Sequence, residues 1–208
     1  MTFGRDPVAL HKALQQAGLS EDRGLTCDVS NPADVEQVFK TMDAQMGGID
    51  ALITCAAVGA EAIFEMEDSD WRYAVETNLL GPLACARAAV QRMLPQGAGD
   101  IILLSSISPD IKAPGESVYA ATKAGIDTFA LTLRKEVGCG GVRVSVIQPG
   151  SVASDMQTCS AEEQRKAVSQ AEMLNADEVA QAIVFVLSRP PGCVIPVMRI
   201  EPIRQKMH

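Results

Sequence analysis

Two short runs, IDALIT (49–54) and IILLSS (101–106), constrain this chain more than any other feature. Each is almost wholly apolar, so an extended chain there has no face to show to water. Such a segment belongs inside a sheet covered on both sides. VRVSVI (142–147) and GLTCDV (24–29) read as further strands, and a last strand lies near 193–199. Helical patterns alternate with them. Asp6 and Pro7 open a helix that Gly18 ends, and Asn31-Pro32 opens another whose Val35, Val38, Phe39 and Met42 share one face. Asp68 caps a helical pattern running to about Leu94 with a kink at Gly81-Pro82, and a long helix covers 116–137. Segments 157–172 and 176–188 are also helical, the first polar and mobile.

Strand–helix alternation predicts an α/β fold over residues 1–208, one doubly wound parallel sheet with no linker or internal repeat. Ligands in such sheets sit beyond the carboxyl ends of the strands. Those ends are Asp28, Thr54-Cys55, Ser105-Ser106 and Gln148-Pro149-Gly150.

Composition narrows the function. A net charge of −8 argues against a nucleic-acid or anionic-membrane partner. The longest apolar stretch, 79–90, is too short to span a bilayer and contains Arg87. Residues 1–20 hold no signal-peptide core, and six scattered cysteines without a Cys-x-x-Cys pair suggest buried, reduced thiols in a cytoplasmic protein. Histidine occurs only at 11 and 208, which disfavours a histidine metal site and a Ser-His-Asp triad. Acid–base chemistry therefore falls to tyrosine, lysine or carboxylates. Tyr119 and Lys123 are four apart on a predicted helix and so share a face, opposite the strand end at Ser106. Tyr-x-x-x-Lys alone is common by chance, and its ordinary reading is packing plus a solvated charge.

Taken together and in order, these residues resemble the short-chain dehydrogenase/reductase family. The matching segments are Asp28-Val29, Asn78 within TNLLG, Ser106 thirteen residues before Tyr119, YAATKAG (119–125) and PGSVAS (149–154). The resemblance implies a Rossmann-like sheet and an NAD(P)-dependent oxidoreductase interconverting a small secondary alcohol and its ketone. It assigns Tyr119 the proton transfer, Ser106 the hydrogen bond to substrate oxygen, Lys123 the lowering of the tyrosine pKa and a hold on ribose, and Asn78 the support of a water leading to Lys123. Cofactor contacts are implied at Arg5, Asp28, Val29, Cys55, Tyr119, Lys123, Val152 and Ser154, with no metal. It implies a homo-oligomer, dimer or tetramer, joined through helices 68–94 and 116–137, and a substrate lid over 155–172.

Two departures bear on these expectations. Thr54-Cys55-Ala56-Ala57 stands where the family has Asn-Asn-Ala-Gly. No Gly-rich dinucleotide loop is present, and MTFGRD resembles the end of the family's second strand, so the first strand and helix are expected to be missing. Arg5 after that strand, with no acid at its end, implies NADP in preference to NAD. The absent loop also leaves open a non-catalytic subunit that pairs with an intact homologue.

Overall fold

The computed structural model describes residues 1–205. Six parallel strands and eight helices appear among them: β1 (Thr2–Gly4), α1 (Pro7–Gln16), β2 (Gly24–Thr26), α2 (Pro32–Met46), β3 (Ala51–Thr54), α3 (Asp68–Val75), α4 (Gly81–Gln96), β4 (Gly99–Leu104), α5 (Ser108–Ile111), α6 (Ser117–Val137), β5 (Val142–Pro149), α7 (Ala161–Ser169), α8 (Ala176–Leu187) and β6 (Val197–Ile200). The architecture is the expected α/β, Rossmann-like one. Its sheet, however, comes in two pieces, β1-β2 and β3-β4-β5-β6. β1 and β3 are not hydrogen-bonded to each other; a cavity of about 310 Å³ between them is lined by Thr2 and Phe3 on one side and residues 51–56 on the other. The division falls where the family resemblance puts its first strand.

The main core follows the apolar pattern. Ile101, Leu103, Val144 and Val146 of the β4–β5 ladder are fully buried, and Val35, Val38, Phe39 and Met42 of α2 pack against the same cluster. Asp6 Oδ1 accepts from Val8 N and Ala9 N at the start of α1, and Asn31 Oδ1 accepts from Ala33 N at the start of α2, so both expected caps form.

Several expected boundaries move. The strand at 24–29 is paired only over Gly24–Thr26. Glu67, not Asp68, is the N-cap of α3, because the Asp68 carboxylate is taken by Arg72 at 2.7 Å and by the Trp71 indole at 3.1 Å. The bend expected at Gly81-Pro82 is replaced by a π-helical turn, Glu76–Leu80, that joins α3 to α4, with Pro82 accommodated in the first turn of α4. Gly81 is needed for a different reason: a Cβ there would lie 2.8 Å from the Val29 carbonyl oxygen. All six cysteines are free, but Cys27 and Cys85 alone are buried, while Cys55, Cys139 and Cys193 are exposed. Among the described residues no helix is long and apolar enough to cross a membrane.

Candidate active site

β4 stops pairing at Leu104, two residues before Ser106, yet the chain is held on course beyond it. Ser105 N donates to Ile147 O at 2.8 Å and Ile107 N to Pro149 O at 3.1 Å, so Ser106 is pinned between two contacts to β5. The Ser106 hydroxyl accepts from Ser108 N at 3.1 Å and lies 3.2 Å from the Ser108 hydroxyl, an arrangement made by the short helix α5.

α6 brings the other two groups to the same place. Its core face carries Val118, Thr122, Lys123, Ile126 and Ala130, which fixes the rotation of the helix. Tyr119 and Lys123 therefore point the same way, with Lys123 Nζ 5.5 Å from the centre of the tyrosine ring. Ser106 and Tyr119 line one cavity of about 710 Å³, a volume suited to a small molecule. Lys123 lies behind them, only 3% exposed, and donates to Leu104 O at 3.0 Å. The Ser105 hydroxyl donates to Lys123 O at 3.1 Å, so strand end and helix are tied in both directions.

The electrostatics correct one expectation. Lys123 was to make Tyr119 more acidic. Instead burial pushes the Tyr119 phenol up from 10.0, the Ser106 hydroxyl within hydrogen-bonding reach opposes this, and the Glu116 carboxylate adds to it. Burial also pushes Lys123 down, from 10.5 to about 8, against the pull of Cys55 and Asp127. Desolvation is the largest influence at both residues.

Asn78 is fully buried in the π-helical turn, and its amide pairs with the backbone of Val58: Nδ2 donates to Val58 O and Oδ1 accepts from Val58 N, each at 2.8 Å. The side chain thus anchors the loop after β3, with one N–H and one lone pair of its amide left over.

Arg5 and Asp28 come together, but through a residue that sequence reasoning missed. Arg5 Nη1 donates to the Tyr73 hydroxyl at 2.5 Å, and that hydroxyl donates to Asp28 Oδ2 at 2.9 Å. Burial opposes ionisation of Asp28, but hydrogen bonds from Ser30 and Tyr73 and the Arg5 charge hold its carboxyl below the usual range. Tyr73 lies 45 residues from Asp28, and no local pattern links them. Val29 and Cys55 line the cavity between β1 and β3 instead of the one shared by Ser106 and Tyr119. Val152 and Ser154 lie on the loop after β5 but outside the larger cavity's lining, which takes Gly150, Ser151, Met156 and Gln157 from that region.

A nicotinamide cofactor fits at one end of this site and poorly at the other. The buried Lys123 ammonium has three N–H bonds and one protein acceptor among the described residues, leaving donors for ribose hydroxyls. At the phosphate end, the sheet is divided between β1 and β3, and among the described residues no glycine-rich turn into a helix N-terminus lies there to meet a pyrophosphate.

Comparison with known proteins agrees with this architecture. The family model described as short chain dehydrogenase matches residues 2–165. The chain is 34% identical over 190 residues to carbonyl reductase family member 4 of Danio rerio, covering 90% of this chain and 80% of that protein. It is 30% identical over 171 residues to the 3-oxoacyl-(acyl-carrier-protein) reductase of Salmonella typhimurium, covering 80% of this chain and 70% of that protein. A short-chain type dehydrogenase/reductase from Mycobacterium ulcerans superposes with a TM-score of 0.84 at 22% identity, covering 97% of this chain and 78% of that one, a likeness of fold. With 164 consecutive residues matched by the family model and its oxidoreductase relatives aligned over most of their length, the chain belongs to the short-chain dehydrogenase family.

Proposed function

We propose that this chain carries the proton-transfer half of an NAD(P)-dependent oxidoreductase that interconverts a small ketone and its secondary alcohol. The observation that supports it best is that Ser106 and Tyr119, within hydrogen-bonding reach of each other, line one cavity beside a buried lysine. A phenol held above its ordinary pKa is protonated at neutral pH, so Tyr119 is suited to donate to a carbonyl oxygen. Reduction is then the direction its proton state favours. Ser106 would hydrogen-bond the same oxygen and stabilise charge developing there. Lys123 holds a positive charge behind the phenol below about pH 8 and would bind the nicotinamide ribose. Asn78 acts one step away by fixing the loop from Val58 that walls the cavity.

The cofactor, when bound, would supply the hydride. Arg5 and Asp28, joined through Tyr73, would meet its adenosine end, with Arg5 favouring the 2′-phosphate of NADP over NAD. Val152 and Ser154 would meet the nicotinamide end. The likeness to carbonyl and 3-oxoacyl reductases supports the reaction class. Assembly with further copies through the helices of residues 68–94 and 116–137, as a dimer or tetramer, fits the exposed Leu80 of the π-helical turn and Leu131 of α6. A cytoplasmic setting fits the six free cysteines.

Tyr119→Phe tests the assignment: turnover of a methyl ketone with NADPH should fall by about a thousandfold or more while the far-ultraviolet circular dichroism stays the same. Undiminished turnover would remove Tyr119 from the mechanism. A second reading, a non-catalytic subunit that pairs with an intact homologue, is favoured by the divided sheet, where no glycine-rich phosphate turn lies among the described residues. On that ground we expect the 208-residue chain to bind NADPH weaker than micromolar by calorimetry; micromolar binding would discard the second reading.

A further inference from the structure

The cavity shared by Ser106 and Tyr119 is walled by charge of one sign. Five carboxylates line it, Glu61, Glu65, Glu67, Asp70 and Glu116, and no lysine or arginine does among the described residues. Acids outnumber bases only 26 to 18 over the chain, so the wall departs from the average surface. None of these five carboxylates takes part in an ion pair among the described residues. Two nearby arginines are already engaged, Arg72 with Asp68 and Arg199 with Asp110 and Glu201. The wall's field also reaches the reacting group, since Glu116 adds to burial in pushing the Tyr119 phenol up. Four of the five carboxylates come from the loop and first turn between residues 61 and 70, a different segment of the chain from Ser106 and Tyr119.

A cleft lined by one sign of charge concentrates ligands of the other sign and excludes its own. We propose that the substrate of this site is a ketone or secondary alcohol bearing a cationic group, of the protonated-amine or quaternary-ammonium class, at the end away from the reacting carbon. The carbonyl is held at Ser106 and Tyr119, the cation lies against Glu61, Glu65 and Glu67, and Met66 and Met156 cover the methylenes between. This rests on the reading of Ser106 and Tyr119 as the carbonyl end.

The test uses the full chain and three methyl ketones with the same three-methylene spacer: one ending in trimethylammonium, its neutral tert-butyl isostere, and the corresponding keto acid. Steady-state reduction with NADPH and calorimetric binding without cofactor are measured for each. Each partly exposed charge contact contributes about two- to fivefold, so the trimethylammonium ketone should exceed the keto acid by at least about tenfold in both readouts at low salt. That ratio should collapse toward one in roughly 0.5 M salt. The double substitution Glu61→Gln, Glu65→Gln should lower the ratio of cationic to neutral ketone severalfold. Equal binding of the three, preference for the keto acid, or no detectable binding of the trimethylammonium ketone at millimolar concentration overturns the proposal. If the cation binds preferentially but no ketone is reduced, the cation selectivity of the cavity stands and the reductase assignment falls; reduction with the order reversed does the opposite.

Discussion

Lys123 is where burial and charge are in open conflict, and the conflict has a measurable size. The side chain is 3% exposed, and burial pushes its pKa from 10.5 to about 8. At about 1.4 kcal/mol per pKa unit, the folded state bears about 3 kcal/mol for keeping the ammonium. The folded pKa lies below the unfolded one, so that cost is present in full below pH 8. Between about pH 8 and 10.5 the folded protein sheds a proton that the unfolded chain keeps, and stability rises with pH. Lys123→Met removes this titration and also the hydrogen bond to Leu104 O, a charged bond contributing about 1.5–3 kcal/mol. Near pH 7 the two effects largely offset. The difference between wild type and variant must nevertheless change with pH, by about 2 kcal/mol in favour of wild type from pH 8 to about 9.5. Urea denaturation followed by circular dichroism at several pH values in that range measures it, because the other titrating groups are common to both proteins. A difference flat to within about 0.5 kcal/mol would mean that the ammonium is not desolvated as the structure has it.

Two further substitutions probe the scaffold. Arg143 grips Asp100 with two hydrogen bonds of 2.7 and 2.9 Å and also donates to the carbonyls of Leu187, Arg189, Pro190 and Cys193. Arg143→Met should cost about 3–5 kcal/mol in urea denaturation by stranding a mostly buried carboxylate, and a loss under about 1 kcal/mol would show the network to be ornamental. Asn78→Ala leaves Val58 N–H and C=O without their partners. It should speed amide exchange at Val58 by about tenfold or more and raise the ketone KM, and unchanged exchange would show that the loop is held by something else.

The sequence was informative wherever a local period controlled the outcome. Ile101–Leu103 is buried because an apolar run with no polar alternation has nowhere else to go, and Val35, Val38, Phe39 and Met42 are buried because helical spacing puts them on one face. Tyr119 and Lys123 share a face for the same reason. Illegible features depend on what the fold brings over a residue. The direction of the Tyr119 shift comes from how deeply α6 and the strand ends bury it and from Glu116 beside it. Tyr73 joins Arg5 to Asp28 only because α3 returns across the end of β2. Asp68 looked like a cap, yet Trp71 and Arg72, three and four residues on, compete for its carboxylate and win. The acidic wall was visible as residues but not as a wall, since Glu116 is far in sequence from Glu61, Glu65 and Glu67.

The divided sheet also sorts the two ends of the site by how firmly each is held. Ser106 and Lys123 are fastened to the β4–β5 ladder, which has six paired positions, and to α6 by bonds running both ways. Arg5 and Asp28 extend from a ribbon of two three-residue strands, a unit with little stability of its own. That ribbon is kept in place by packing, with Leu14 against Gly24 and Phe3 and Leu25 against the main core. What aligns its polar groups with the rest of the site is Tyr73, on a helix that continues through the π-helical turn holding Asn78. Arg5 and Asp28 are therefore registered to Ser106 and Lys123 through α3 and that turn, and not through continuous sheet. A local opening would release Arg5 and Asp28 before it disturbed Ser106 or Lys123. This ordering makes the Arg5–Tyr73–Asp28 linkage the more fragile part of the proposed site and the Ser106–Tyr119 geometry the more durable one.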